Sequence, residues 1–190
     1  NIDGWVASAR GTVTAEPESS SPEMGPASPL WTVDPGLAPN VDVPAVQLAA
    51  LDLERLARED AVNDTTPGTP FRFAVPTDLR VSPATHGLWE RRADGSSVWR
   101  VRFTCDNASS MNIGFTTYWL PEGSRLSVHS GDGADLTPVF NAADNAVHGE
   151  LWTPIVEGGD VAVELYVPAG ERPNVQLEVG RVSAGYRDPF

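Results

Sequence analysis

The sequence predicts a mainly β fold, an antiparallel jelly-roll-like β-sandwich with one N-terminal helix and an irregular N-terminal arm. Three observations support this prediction. Residues 1–44 are rich in Pro, Ser, Gly and Ala, residues 45–62 carry apolar side chains at helical spacing, and from Phe71 onward apolar and polar residues alternate. Alternation with period two is typical of half-buried strands, and short strands between polar turns are typical of antiparallel sandwiches.

Residues 1–44 form the predicted arm. This composition buries too little apolar surface to order itself, so the arm is interpreted as a linker. Trp5 and Trp31 are exceptions, and we expect them to dock the arm onto a neighbouring surface. The helix and the sandwich together form the domain expected over 45–190.

Residues 45–62 are predicted to form the helix. Its apolar stripe consists of Val46, Leu48, Leu51, Leu53 and Leu56. Acidic and arginine side chains supply the polar remainder of the helix surface. The Pro and Thr residues between positions 65 and 70 are expected to end the helix.

About eight or nine short strands are predicted after residue 71. The clearest lies at 97–105, preceded by Asp94-Gly95, which is a hairpin signal. The predicted core consists of Trp99, Val101, Phe103, Ile113, Phe115, Leu126, Val128, Val161, Val163, Leu165, Leu177 and Val179. Because neighbouring strand residues point to opposite faces, Arg100, Arg102, Glu164 and Glu178 are expected on the outer surface.

Composition restricts the classes of partner. The chain has 190 residues, of which 41% are hydrophobic, and a formal net charge of -13. One domain of ordinary size is expected. Phosphate backbones would be repelled by this charge, so nucleic acid is not an expected partner. The sequence contains no apolar run of about 18 residues, so no membrane span is predicted.

All 13 basic residues are arginine. A genome that favours arginine codons explains this bias, and so does avoidance of lysine beside a lysine-cutting protease. The single cysteine, Cys105, excludes an internal disulfide. Its position on the Trp99 and Phe103 face predicts that it is buried.

No catalytic machinery is predicted. A Gly-x-Ser-x-Gly motif is absent, and His86, His129 and His148 do not lie beside a recognisable nucleophile motif. The histidines lack close ligand spacing and cysteine pairs are absent, which excludes the common zinc patterns. The many carboxylates show no pair in a fixed relation, so no cofactor or acid–base pair is assigned.

The acidic loop at 131–135 is a weak calcium candidate through Asp132 and Asp135. Calcium prefers hard oxygen ligands on loops. Asp and Gly are also the ordinary residues of a tight turn, and the loop lacks the full pattern of a calcium hand.

Five aromatic residues have two interpretations, namely Trp89, Trp119, Trp152, Tyr166 and Tyr186. Aromatic rings on an outer sheet face can stack on sugars or on another protein, but in sandwiches they are more often core residues. We expect two or three of the five to be buried.

From Val43 to its end the chain resembles the N-terminal pro-region of secreted bacterial lysyl endopeptidase-like, trypsin-fold serine proteases. The resemblance is carried by the order and spacing of Trp99–Arg102, Gly114-Phe115, Leu120–Leu126, Asp144-Asn145, Glu150–Pro154, Gly159–Leu165, Val167-Pro168 and Val182–Arg187. Cys105 departs from the expected pattern, which leaves open a disulfide to the protease part.

The resemblance implies a secreted, non-catalytic domain followed by a trypsin-like protease domain as its partner. Such a domain would assist folding of the protease, restrain its activity, or do both. The candidate partner-binding residues are Trp5, Trp31, Tyr186 and Arg187. The alternatives are a carbohydrate- or surface-binding module, indicated by a row of exposed aromatics, and a small hydrolase, indicated by a histidine that meets a nucleophile.

Overall fold

The computed structural model describes residues 28–188, which form two β-sheets of five strands each and few helices. The helices are α1 (Leu30–Val33) and α2 (Leu53–Asn63). The strands are β1 (Ala45–Gln47), β2 (Ala74–Val81), β3 (Leu88–Arg91), β4 (Ser97–Thr104), β5 (Ser110–Trp119), β6 (Arg125–Ser130), β7 (Leu151–Trp152), β8 (Val156–Glu157), β9 (Asp160–Val167) and β10 (Gln176–Gly185). The predicted mainly β class is confirmed, whereas the jelly-roll type of connection stays a prediction.

The first sheet has the order β1-β4-β9-β6, and β3 pairs with the same edge of β4 as β1. The second sheet has the order β2-β10-β5-β7, and β8 pairs with the β7 edge of β5. The strand pairs described within residues 28–188 are antiparallel, except for the three-residue parallel pairing of β1 with β4.

The core lies between the two sheets and matches the sequence prediction. Every predicted core position is buried, from Trp99 at 0% exposure to Leu177 at 5%. Cys105, Met111, Tyr118 and Val182 join the same cluster. Alternation located these positions because a strand places every second side chain on one face.

The predicted hairpin at Asp94-Gly95 is confirmed. Strands β3 and β4 pair antiparallel on either side of it, with Trp89 opposite Trp99. Gly95 has φ of 85°, a left-handed conformation that glycine adopts without a steric penalty. Asp94 accepts hydrogen bonds from the backbone and hydroxyl of Ser96, which closes the turn.

The predicted start of the helix at residue 45 is wrong. Residues 45–47 form strand β1, and α2 begins only at Leu53, capped by the Asp52 carboxylate, which accepts from the Arg55 amide at 2.9 Å. Strand β3 pairs with only the first half of one edge of β4. The backbone groups along the rest of that edge pair with β1. Leu48 and Leu51 are still buried as expected, but from an extended segment.

The described part of the arm packs against the protein. We call residues 29–43 the strap; its buried residues include Leu37, Asn40 and Val43. Its backbone hydrogen bonds close turns within the strap, as between the Asp34 amide and the Leu30 carbonyl at 2.8 Å. Trp5 lies outside the described residues, and the division at residue 44 stays a prediction.

The strap overturns part of the surface prediction. Arg100 and Glu164 were expected on the outer surface, but they are 0% and 3% exposed. They do point away from the core, as alternation requires, but the strap covers that face of the first sheet. Arg102 and Glu178 are only partly exposed.

None of the helices in residues 28–188 is long and apolar enough to cross a membrane.

Candidate protein-binding surfaces

The last described residues are fastened to α2 by a group of charged and aromatic side chains that we call the clamp. Its members are Asp60, Asp64, Arg72, Tyr186 and Arg187. Tyr186 donates a hydrogen bond of 2.8 Å to Asp60, and Arg72 donates to the other oxygen of the same carboxylate at 2.8 Å and 3.0 Å. Arg187 lies 3.1 Å from Asp60 and 2.9 Å from Asp64.

The sequence places these groups at distant points of the chain. Asp60 occupies the inward side of α2, where it is 5% exposed. Arg72 precedes β2, and the backbone amide of Tyr186, just after β10, bonds to the Phe73 carbonyl at 3.0 Å. Because β10 pairs with β2, Arg72 and Tyr186 arrive side by side beneath the helix.

The charges of the clamp stabilise one another. Burial raises the pKa of Asp60, but hydrogen bonds from Tyr186, Arg72 and Arg187 outweigh burial and hold that pKa below its usual value. Burial, and after it the bond to Asp60, raises the pKa of the Tyr186 phenol. The clamp is therefore a charge-assisted network with an ionised carboxylate at its centre.

A groove of about 440 Å³ lies beside the clamp. It is lined by Leu53, Ala57, Asp60, Ala61, Asp64, Tyr186 and Arg187. Leu53 is 45% exposed, and with Ala57 and Ala61 it gives the groove an apolar part beside the charged groups of the clamp. An apolar patch with a polar rim is the usual composition of a protein-binding surface.

Two of the predicted partner-binding residues, Tyr186 and Arg187, therefore share one surface with α2. Asp60 and Arg72 were not predicted to belong to it. Asp60 and Arg72 could be assigned to this surface only from the pairing of β2 with β10, which the sequence does not reveal. The Arg187 guanidinium also lies 4.2 Å from the centre of the Phe71 ring, a cation–π contact.

Trp31 lies in the strap, away from the clamp. Its ring is half-buried, and its centre lies 6.5 Å from that of His129 on β6 of the first sheet. The structure thus brings Trp31 onto the protein's own sheet, as expected for a docked arm. Its proposed role in binding a partner stays a prediction.

A cluster of buried polar and charged side chains lies between the strap and the first sheet, and the sequence analysis missed it. Arg100 bonds to Glu90, and Glu164 accepts from the Leu30 amide at 2.7 Å. Burial lowers the pKa of His129, and burial raises the pKa of Glu164. In the sequence, charged residues alternate with apolar ones in β4 and β9, and this pattern indicated a solvent-exposed face instead of a buried cluster.

The calcium candidates Asp132 and Asp135 both accept hydrogen bonds from the protein, Asp132 within the turn and Asp135 from β8. Asp132 accepts from the Ser130 hydroxyl at 2.6 Å and the Ala134 amide at 3.0 Å. Asp135 accepts from the Glu157 amide at 2.8 Å. Within residues 28–188, no group of three or more His, Cys, Asp or Glu side chains is arranged to hold a metal ion.

Each histidine has a local contact. His86 Nδ1 lies 2.8 Å from the hydroxyl of its neighbour Thr85, and His148 Nδ1 accepts from the Glu150 amide at 3.1 Å. His129 is fully buried, with Nδ1 2.9 Å from the Ser130 carbonyl. The thiol of Cys105 is 3.3 Å from the Ala49 carbonyl, and burial raises its pKa. A raised pKa disfavours the reactive thiolate.

The prediction that two or three of five aromatics are buried is wrong. Trp119 and Trp152 are 48% and 50% exposed, whereas Trp89, Tyr166 and Tyr186 are half-buried. The core is filled by other aromatics, and arginines lie over the partly covered rings. Arg172 lies 4.2 Å from the centre of the Trp89 ring, and Arg125 lies 4.7 Å from that of Tyr166.

These features define a mainly β domain with a groove beside a charged clamp. The chain belongs to the lysyl endopeptidase N-terminal domain family, whose model matches residues 45–185. A lysyl endopeptidase from Pseudomonas aeruginosa is 30% identical over 178 aligned residues, which cover 80% of this chain and 36% of that protein. The resemblance predicted from the sequence is confirmed, and the chain spans only about a third of this relative.

Proposed function

We propose that the chain is the non-catalytic N-terminal domain of a secreted lysyl endopeptidase-like serine protease precursor, and that it binds the protease domain of that precursor. Family membership over residues 45–185 is the observation that carries the proposal. The local engagement of His86, His129 and His148 supports the non-catalytic part, because a serine hydrolase needs a histidine between a nucleophile and an acid.

The clamp groove is the proposed contact surface. Tyr186 and Arg187 lie in its wall and are held by α2. A protease domain attached after these residues would therefore begin beside the groove. Attachment gives a high effective concentration, so even a weak contact would be well populated in the precursor.

The proposed task is to assist folding of the protease, to restrain its activity, or both. Trypsin-fold barrels depend on non-local contacts, which makes their folding slow. A partner that binds the folded state but not the unfolded state shifts the equilibrium toward folding. A chain without lysine also offers no cleavage site to a lysine-specific protease, so the domain would persist beside an active enzyme.

Refolding of the protease domain tests this proposal. The protease domain of the same precursor is refolded alone and with this chain added in trans, and the rate, yield and peptidase activity are measured. We expect a higher folding yield, lower activity while the complex persists, or both. Unchanged rate, yield and activity would contradict the proposal.

Two matched variants locate the contact. Ala61 is exposed and lines the clamp groove, whereas Val62 is exposed on the same helix and is not among the lining residues. Ala61→Arg fills the groove and should remove the effect, while Val62→Arg adds the same charge and should retain it. Equal effects of the two variants would show that the protease binds elsewhere.

Carbohydrate or surface binding is a second candidate, favoured by Trp152. Its ring lies directly over Gly114, where a Cβ would come within 2.6 Å of ring carbons, and half of the side chain is exposed. A flat aromatic ring in this position offers an apolar face to a sugar. Binding to insoluble polysaccharides that Trp152→Ala abolishes would support this function, and absence of binding would exclude it for the polysaccharides tested.

A further inference from the structure

We propose that the strap-covered face of the first sheet is a binding groove for a peptide segment that follows the path of the strap, and that the strap is an exchangeable intramolecular ligand. The face is formed by outward-pointing side chains of β4, β6 and β9 together with Glu90 of β3.

The face binds the backbone of the strap at three points. The Leu30 amide donates to Glu164 at 2.7 Å, and the Ala38 amide donates to Glu90 at 2.7 Å. At the second point the Arg100 guanidinium also donates to the Ala38 carbonyl at 2.7 Å. Arg102 donates to the Val41 carbonyl at 3.1 Å. Because every peptide carries these amides and carbonyls, such contacts do not depend on one particular sequence.

Some side chains of the strap also anchor it. Asn40 and Val43 are 3% and 2% exposed, and Asn40 donates to the Gly131 carbonyl at 2.9 Å. Leu37 is 7% exposed and Trp31 is half-buried, whereas Val33 and Val41 are 65% and 75% exposed. Asp34 adds an ion pair of 2.7 Å with Arg92. A competing ligand therefore needs main-chain amides and carbonyls along the path of the strap, together with a few side chains that become buried.

The strap leaves polar groups of the face unmatched. Within residues 28–188, Arg100 Nε and Nη1, His129 Nε2 and Glu164 Oε2 are buried without a hydrogen-bond partner in the protein. Among the described residues, Trp31 Nε1 and Asn40 Oδ1 of the strap are likewise buried without a hydrogen-bond partner in the protein. Buried polar groups without partners destabilise the closed state. A peptide that bonded to these atoms would therefore compete with the strap.

Opening the groove would return buried polar side chains to water. Arg100, Glu164 and His129 regain hydration when the strap leaves, which offsets part of the lost contacts. The family model starts at residue 45, so it contains these buried charges but not the strap that covers them.

Peptide exchange tests the proposal in the full chain. A fluorescent peptide with the sequence of residues 28–43 is titrated with three proteins and followed by anisotropy. Wild type and the control Val33→Ser/Val41→Ser keep the strap anchors, and their own strap competes at high effective concentration. Trp31→Ser/Leu37→Ser removes two apolar anchors and should bind the peptide at least about tenfold more tightly.

A fourth protein checks the site. Adding Glu164→Gln to Trp31→Ser/Leu37→Ser removes the charged acceptor of the Leu30 amide and should weaken peptide binding about tenfold, as expected for a charge-assisted bond. The proposal is wrong if loosening the strap does not tighten binding, or if Glu164→Gln has no effect on it.

Hydrogen exchange of the wild type gives an answer even if these variants do not fold. An exchangeable strap opens while the sheets stay closed. The Leu30 and Ala38 amides should therefore exchange at least about a hundredfold faster than the amides of Val163 and Leu165 in β9. Exchange of both sets at one common rate through global unfolding would show that the strap is a permanent part of the fold.

Discussion

Tyr186 donates a hydrogen bond of 2.8 Å to the carboxylate of Asp60, 126 residues earlier in the chain. The bond joins the end of β10 to the helix α2, and Arg72 and Arg187 complete the clamp around the same carboxylate. It fixes the orientation of the last described residues, which line the proposed contact surface. Stability and partner binding are therefore expected to depend on the same group of side chains.

Tyr186→Phe should lower the free energy of unfolding by about 1–3 kcal/mol, because a hydrogen bond to an ionised group is lost while the ring remains. A urea titration monitored by tryptophan fluorescence measures this difference. Tyr166→Phe is the control, since Tyr166 lies outside the clamp and its ring keeps its contacts with Arg92 and Arg125. Equal losses for both variants would contradict the role given to the clamp.

Phe103→Ala should cost about 3–5 kcal/mol, the usual range for an aromatic side chain removed from a packed core. Phe103 is fully buried between the sheets. Val147→Ala, at a fully exposed position, should change stability by less than about 0.5 kcal/mol. Denaturant titrations compare the two variants, and a loss below about 1 kcal/mol for Phe103→Ala would show that the core is misplaced.

Acidification should destabilise the fold through His129. The pKa of this histidine is lowered by burial, whereas an unfolded histidine titrates near 6.5. As the pH falls, the unfolded state therefore binds a proton on this histidine at a higher pH than the folded state does. The stability that neutral His129 contributes above pH 6.5 is lost progressively below that pH. Glu164 acts in the opposite direction, because burial raises its pKa and its ionised form is disfavoured in the fold.

The variant His129→Gln separates the effect of His129 on stability from that of Glu164. Unfolding free energies of wild type and His129→Gln are measured at pH 7.5 and pH 5.5. Both proteins keep Glu164, so the wild type should lose more stability than the variant over this interval. Identical pH dependences would show that His129 is not held neutral by the fold.

Cys105 should react slowly with a thiol reagent in the native protein and rapidly in urea. The side chain is 3% exposed and burial raises the pKa of its thiol, so little thiolate reaches the reagent. Ellman's reagent measures both rates. Rapid, complete labelling of the native protein would contradict the burial and would favour the disulfide to the protease part that the resemblance left open.

The strands and the core were predictable because their signal is local. Alternation from Trp99 to Cys105 identifies β4 and its inward face without knowledge of its neighbours. The start of α2 was not predictable in the same way. Residues 45–47 form a strand because they pair with the edge of β4, a long-range contact that a local pattern does not show. The spacing of Leu48 and Leu51 is compatible with a helix and with an extended segment.

The site was predicted only in part, for a similar reason. The positions of Tyr186 and Arg187 were assigned from the resemblance, but their partners Asp60 and Arg72 come from distant segments. The strap was missed because its contacts are made by charges on the sheet, which a sequence pattern assigns to solvent. Arg100 and Glu164 become buried only through this long-range cover.

The most direct test of the central claim is the equilibrium affinity between this chain and the folded protease domain of the same precursor. Isothermal titration calorimetry should show a one-to-one complex with a Kd in the micromolar range or below, a typical affinity for a specific protein complex. Ala61→Arg should weaken it at least about tenfold, and Val62→Arg should not. Absence of a complex at tens of micromolar, with both proteins folded, would contradict the account and favour carbohydrate or surface binding.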